Sequence, residues 1–187
     1  VFSDEYKAAR AWLQSHFEGA GLQCQIDAGG NLIGTRKAAD EQGTARKVII
    51  GSHIDTVAAG GRFDGIAGVI AGLETIQYLN QYDIKLPFEI EIIDFLGEEL
   101  NVWGTSCLGS RHMAGLLTDE LLALIDQDGR RLSDEVRKVG GTGIAATTPR
   151  QDADKIIACL ELHIEQSSRL ERKGIDIGVV TDIPGIS

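Results

Sequence analysis

Residues 47–55, KVIIGSHID, carry an unbroken apolar centre of Val48, Ile49 and Ile50 that runs directly into a histidine and an aspartate. A strand that is apolar on both faces needs cover on both sides, which is the condition of strands inside layered α/β sheets. FEIEIIDFL (88–96) alternates at first and is then fully apolar, and IIACLELHI (156–164) and IDIGVVTDI (175–183) read as further strands. Between the first two, Ile66, Val69, Ile70, Leu73 and Ile76 recur at helical spacing. Upstream, Phe2, Tyr6, Ala9, Leu13, Phe17 and Ala20 mark a helix with Ser3 or Asp4 as its cap and Gly21 as its end. LQCQID (22–27) and NLIGTR (31–36) flank Gly29-Gly30 and predict a strand pair joined by a tight turn. Shorter helical stretches follow around 106–115, 118–126 and 131–139, and residues 140–152 read as a loop. The alternation predicts an α/β fold, a layered mixed, mainly parallel sheet with flanking helices, and 187 residues suffice for one such domain.

Charge and cysteine usage narrow the partners. The chain has 18 Lys plus Arg against 28 Asp plus Glu, a formal charge of -10, which disfavours nucleic acid and anionic membranes. Cys24, Cys107 and Cys159 are odd in number and form no C-x-x-C pair, so a reducing, cytoplasmic setting is expected. No apolar run approaches the length of a membrane helix. The chain opens on Val1 with neither a methionine nor a signal peptide, and is read as a segment of a longer protein.

Chemistry collects where the strands end. His53 and Asp55 lie two apart at the end of the first buried strand, and so point to one side of it. A metal-bound imidazole usually gives its second N–H to a carboxylate, and a plain hydrogen-bonded histidine uses the same arrangement. Asp64, between Phe63 and Gly65, opens the following helix as either a bridging ligand or an N-cap. Glu98 and Glu99 follow the next strand in DFLGEEL (94–100), where they form an acidic turn or divide ligation and proton transfer between them. His163 sits in LELHIEQ (160–166) with Glu161 and Glu165 two residues away on either side. Each has a bland reading alone, but convergence of His, Asp, Glu and His at three strand ends points to a metal site. Neither phosphate-loop pattern occurs, and His16 and His112 lack the strand-end context and read as surface or packing residues.

In order, DAGGNLIGTR, GSHIDTV, GGRFDG, GVIAGLE, GEEL, GSRHMAG, ELHIEQ and GVVTDIPGI resemble the amidase, hydantoinase/carbamoylase family of the co-catalytic zinc peptidase clan. Its members include N-carbamoyl-L-amino-acid hydrolase, β-ureidopropionase and allantoate amidohydrolase. The resemblance implies a hydrolase of linear C–N bonds, with an N-carbamoyl-L-amino acid as substrate. It implies two divalent ions, zinc or manganese, with His53 and His163 on one, Asp64 bridging and Glu99 on the other. Glu98 would be the general base, Asp55 would orient His53, and Gln166 matches a substrate-contacting position. Ser167-Ser168 departs from the glycine and proline usual after that glutamine. Residues 1–187 would form the N-terminal part of the catalytic domain. The lid and dimerisation domain, its carboxylate-binding arginine and the last metal-binding histidine would lie outside, so at most one tight ion is expected here. Full-length members would be homodimers through that lid. The competing readings are an allantoate amidohydrolase, a dipeptidase or aminoacylase of the same clan, against which HIEQ argues, and a non-catalytic metal-binding fragment.

Overall fold

The computed structural model describes residues 1–39 and 46–183. Helix α1 (Asp4–Gly19) starts where the Ser3 side chain accepts the Tyr6 N–H at 3.2 Å, and the chain leaves it through Gly21 at φ +82°. Strands β1 (Gln23–Ile26) and β2 (Leu32–Arg36) form the expected antiparallel pair, closed by a turn over Asp27–Asn31. Strand β3 (Lys47–Ser52), helix α2 (Ile66–Gln81) and strand β4 (Glu89–Asp94) make a parallel crossover unit. Three short helices follow, α3 (Leu108–Met113), α4 (Asp119–Leu122) and α5 (Leu132–Lys138), before β5 (Ile156–Leu160) and α6 (Arg169–Lys173).

The sheet order is β1-β2-β4-β3-β5. Both pairings of β3 are parallel and both pairings of β2 antiparallel, so β2 alone runs against the other strands. The C-terminal ends of β3, β4 and β5 therefore lie together on one rim. Helices α1 and α2 cover one face, where Leu13, Phe17, Val69, Leu73 and Ile76 meet Leu32, Ile90 and Ile92. Full burial of such side chains contributes about 1.5–3 kcal/mol each. Behind the sheet, Ile33, Ile49 and Ile93 meet Phe95 and Met113. There Glu91 lies under Lys47 (2.7 Å) and Arg150 (2.8 Å), and Asp152 contacts both cations. The short helices close a third cluster around Leu96, Trp103, Leu108, Leu132 and Val136, roofed by Phe2 and Tyr6.

Two sequence expectations change. The strand expected over 156–164 keeps its ladder only through Leu160, and 161–164 continue without one. Residues 175–183 form no strand, and Ile177, Val179, Val180 and Ile183 are exposed. Alternating apolar residues become a strand only where another strand takes their N–H and C=O groups. Among the described residues, nothing pairs with 175–183.

Candidate metal centre

His53 stands one residue past the end of β3, with its ring 1% exposed. It is held there by Gly65 at the head of α2, whose φ is +68° and where any Cβ would overlap the imidazole. Its Nδ1 lies 2.8 Å from the Asp55 carbonyl oxygen. A carbonyl can only accept, so Nδ1 carries a proton and Nε2 is the ring nitrogen open to other partners. That Nε2 faces Glu98 Oε2 at 3.5 Å. Asp55 thus touches the ring through its backbone, while its carboxylate lies 3.7 Å from Nδ1. The carboxylate oxygens are engaged elsewhere, accepting the N–H groups of Glu98 and Glu99 at 3.2 Å each.

Asp64 comes just before the cap of α2, but no side chain caps that helix, so the N-cap alternative is not what the carboxylate does. Its Oδ1 lies 3.2 Å from His163 Nε2, and its Oδ2 accepts Gln166 Nε2 at 3.1 Å. His163 donates from Nδ1 to the Ile164 carbonyl at 2.9 Å, so Nε2 is the ring nitrogen turned to Asp64. The glutamates flanking His163 in sequence point to other tasks. Glu161 accepts the Ser52 hydroxyl, and Glu165 accepts Ser167 Oγ and the Leu170 N–H at the start of α6.

Two donor sets result. Ligand atoms of His53, Asp64 and His163 lie within 4.8 Å of one another, as do those of His53, Glu98 and Glu99. Asp64 Oδ1 is buried, has His163 Nε2 3.2 Å away and makes no well-aligned hydrogen bond, a position that a bound cation would satisfy. Two imidazoles and several carboxylates on one rim are a donor set that suits a divalent metal ion. Burial, and after it the charges of Glu98 and Asp64, hold the Glu99 carboxyl above its usual range. A bound cation would relieve that strain.

Three residues of the surrounding shell have no obvious sequence signature. Asp94, fully buried at the end of β4, accepts the Ile54 N–H at 3.1 Å between His53 and Asp55. Arg10 of α1 reaches it at 3.1 Å, yet burial, reinforced by Asp55, still pushes the Asp94 carboxyl up to about 7. The one available signal was a lone carboxylate inside the apolar run IIDFL. Asn31, also fully buried, bonds Leu96, Gly109 and Asp27. His16 stacks on Trp12 at the surface and His112 packs against Gly29 of the β1–β2 turn, and neither belongs to a donor set found among the described residues. No described helix is long and apolar enough to cross a membrane.

Comparison with known proteins agrees with this geometry. Residues 31–169 match peptidase family M28. The N-carbamoyl-L-amino acid amidohydrolase of Geobacillus stearothermophilus is 36% identical over 99% of this chain and 45% of its own length. The ureidoglycolate hydrolase of Oryza sativa subsp. japonica is 35% identical over 98% of this chain and 38% of its own. A hydantoinase/carbamoylase family amidase from Burkholderia ambifaria superposes with a TM-score of 0.81 at 36% identity, covering 92% of this chain and 41% of that one. The chain spans less than half the length of the curated relatives it matches. With the parallel crossover, the rim of His, Asp and Glu donors and the match over most of its length in agreement, the chain belongs to peptidase family M28, and its relatives include hydantoinase/carbamoylase amidases.

Proposed function

We propose that residues 1–187 form the N-terminal part of the catalytic domain of a metal-dependent amidohydrolase. The parent protein hydrolyses N-carbamoyl-L-amino acids to the amino acid, carbon dioxide and ammonia. The observation that carries this reading is that His53 shares one donor set with Asp64 and His163 and a second with Glu98 and Glu99 on one rim of the sheet. His53, His163 and Asp64 would hold one zinc or manganese ion and Glu99 a second, with Asp64 between them. The bound metal supplies an acidified water and an electrophile for the carbamoyl oxygen.

The chain's own groups do the rest. Glu98, with its side chain 37% exposed beside the His53 ring, is placed to take a proton at Oε2 and return it to the leaving amine nitrogen. The released carbamate then decays to carbon dioxide and ammonia. Asp55 fixes the tautomer of His53 through its carbonyl and the direction of Glu98 through its carboxylate. Gln166 must turn its NH₂ end to Asp64, because a carboxylate only accepts. Its amide oxygen therefore stays available as an acceptor, the group a terminal ureido NH₂ requires, and this favours a carbamoyl substrate over a peptide. Similarity to a ureidoglycolate hydrolase makes another ureido compound the competing substrate. The remaining half of a full-length relative would bring the lid, the dimer contacts and the last histidine ligand. Three free cysteines fit a reducing cytoplasm.

Kinetics of the full-length parent test the assignment. kcat/KM should be higher for N-carbamoyl-L-amino acids than for dipeptides or ureidoglycolate, and Glu98→Gln should lower kcat by about 10²–10⁴-fold. A preference for dipeptides sinks the substrate assignment, and an active Glu98→Gln sinks the role given to Glu98.

A further inference from the structure

The segment that carries Glu98 and Glu99 is a closed loop running from Leu96 to Gly109. Backbone bonds draw its neck together, from Gly109 N–H to the Leu96 carbonyl (2.8 Å) and from Leu108 N–H to the Gly97 carbonyl (3.1 Å). One side chain from outside spans the neck. Asn31, at the head of β2, accepts the Leu96 N–H at Oδ1 (2.9 Å) and donates from Nδ2 to the Gly109 carbonyl (3.1 Å) and to Asp27 Oδ2 (2.8 Å). Every hydrogen-bonding direction used is one that only a primary amide offers from a single group. The fit is close, since a Cβ on Gly109 would overlap Asn31 Oδ1. Directly beyond the neck, where Cys107 N–H donates to the Glu98 carbonyl (2.9 Å), the Asp55 carboxylate accepts the N–H groups of Glu98 and Glu99. The glutamates are thus suspended between two anchors, Asp55 beside them and Asn31 at the neck.

We propose that Asn31 is a positioning residue for Glu98 and Glu99, acting through the Leu96–Gly109 neck to set where their carboxylates stand relative to His53. The proposal rests on the reading of Glu99 as a metal ligand and Glu98 as the proton carrier. Without Asn31, the buried Leu96 N–H and Gly109 carbonyl each lose a side-chain partner. The loop then loosens at its base, and the hold of the Asp55 carboxylate on the Glu98 and Glu99 N–H groups loosens with it. Removal of supports that orient metal ligands typically weakens binding by about 10–100-fold.

The test compares the 187-residue chain with Asn31→Ser and Glu99→Gln variants. Amide hydrogen exchange is read at Glu98 and Glu99, and Co²⁺ titrations are followed by calorimetry and visible absorption. Asn31→Ser should speed exchange at Glu98 and Glu99 by at least about 10-fold, leave the β3 and β4 amides protected, weaken Co²⁺ binding about 10-fold and change the absorption band. A purely structural asparagine would lower the melting temperature yet leave the band and affinity of the folded protein unchanged. If Asn31→Ser does not unfold cooperatively, the isosteric Asn31→Asp is read in its place. Unchanged exchange at Glu98 and Glu99, or unchanged Co²⁺ binding while Glu99→Gln weakens it, overturns the proposal and spares the site assignment. If Glu99→Gln also binds Co²⁺ as the parent sequence does, Glu99 is not a ligand and the proposal falls with that reading.

Discussion

Gly65→Ala tests how tightly the head of α2 is built around His53. Two costs add. The residue lies at φ +68° and ψ −53°, outside the left-handed helical well, so an L side chain there costs at least about 1–2 kcal/mol. A Cβ there also falls on the His53 ring, and forcing an atom into such a packed site costs a further ~1–3 kcal/mol. The expected loss of stability is therefore ~2–5 kcal/mol. Gly129→Ala separates the two parts, because Gly129 has φ +79° with nothing within 4 Å of the added atom. It should show the backbone cost alone. Urea denaturation of both variants in metal-free buffer gives the two energies, and their difference is the packing against His53. Titration with Zn²⁺ then reads the site: Gly65→Ala should bind at least about 10-fold more weakly, and Gly129→Ala as tightly as the unaltered chain. Equal destabilisation by the two substitutions, with Zn²⁺ binding intact in both, would refute the claim that Gly65 is required by contact with the ligand histidine.

Three more outcomes are expected. Glu91→Ala strips Lys47 and Arg150 of a shared buried carboxylate and should cost about 3 kcal/mol in denaturant unfolding, whereas a loss under about 1 kcal/mol would mean Asp152 neutralises both cations. Burial holds the Asp94 carboxyl at about 7 in the folded chain against 3.8 unfolded, so its contribution to stability is complete below pH 3.8 and is lost as pH rises through about 7. Asp94→Asn should flatten that decline in melting temperature measured without metal, and an unchanged slope would argue against the assignment. Calorimetry should find at most one tightly bound divalent ion per chain, since the Glu99 donor set lacks the second histidine that the resemblance implies, and two equally tight sites would contradict this.

Much of this protein was legible along the chain because the governing physics is local. Apolar centres in KVIIGSHID and FEIEIID, separated by a helix of period 3.6, dictate a parallel crossover whatever the rest of the chain does. Placing His53, Glu98 and Glu99 at strand ends and Asp64 at the head of a helix followed from those same segments, and His163 from the apolar run at 156–164. Their division into two donor sets sharing His53 did not, because it depends on how neighbouring strands line up across the sheet.

Tertiary structure decided which polar atom each of these residues meets. Asp55 was read as the partner of a ring two residues away, but its carboxylate is taken by two amides 43 and 44 residues downstream. Asn31 reads along the chain as the first residue of the strand segment NLIGTR and proves to span the neck of a loop 65 to 78 residues on. The apolar alternation of 175–183 met every local rule for a strand and formed none, for want of a neighbour among the described residues. Periodicity and turn chemistry act within a few residues and survive in any sequence window. A buried hydrogen bond is fixed only by what the completed fold sets opposite it.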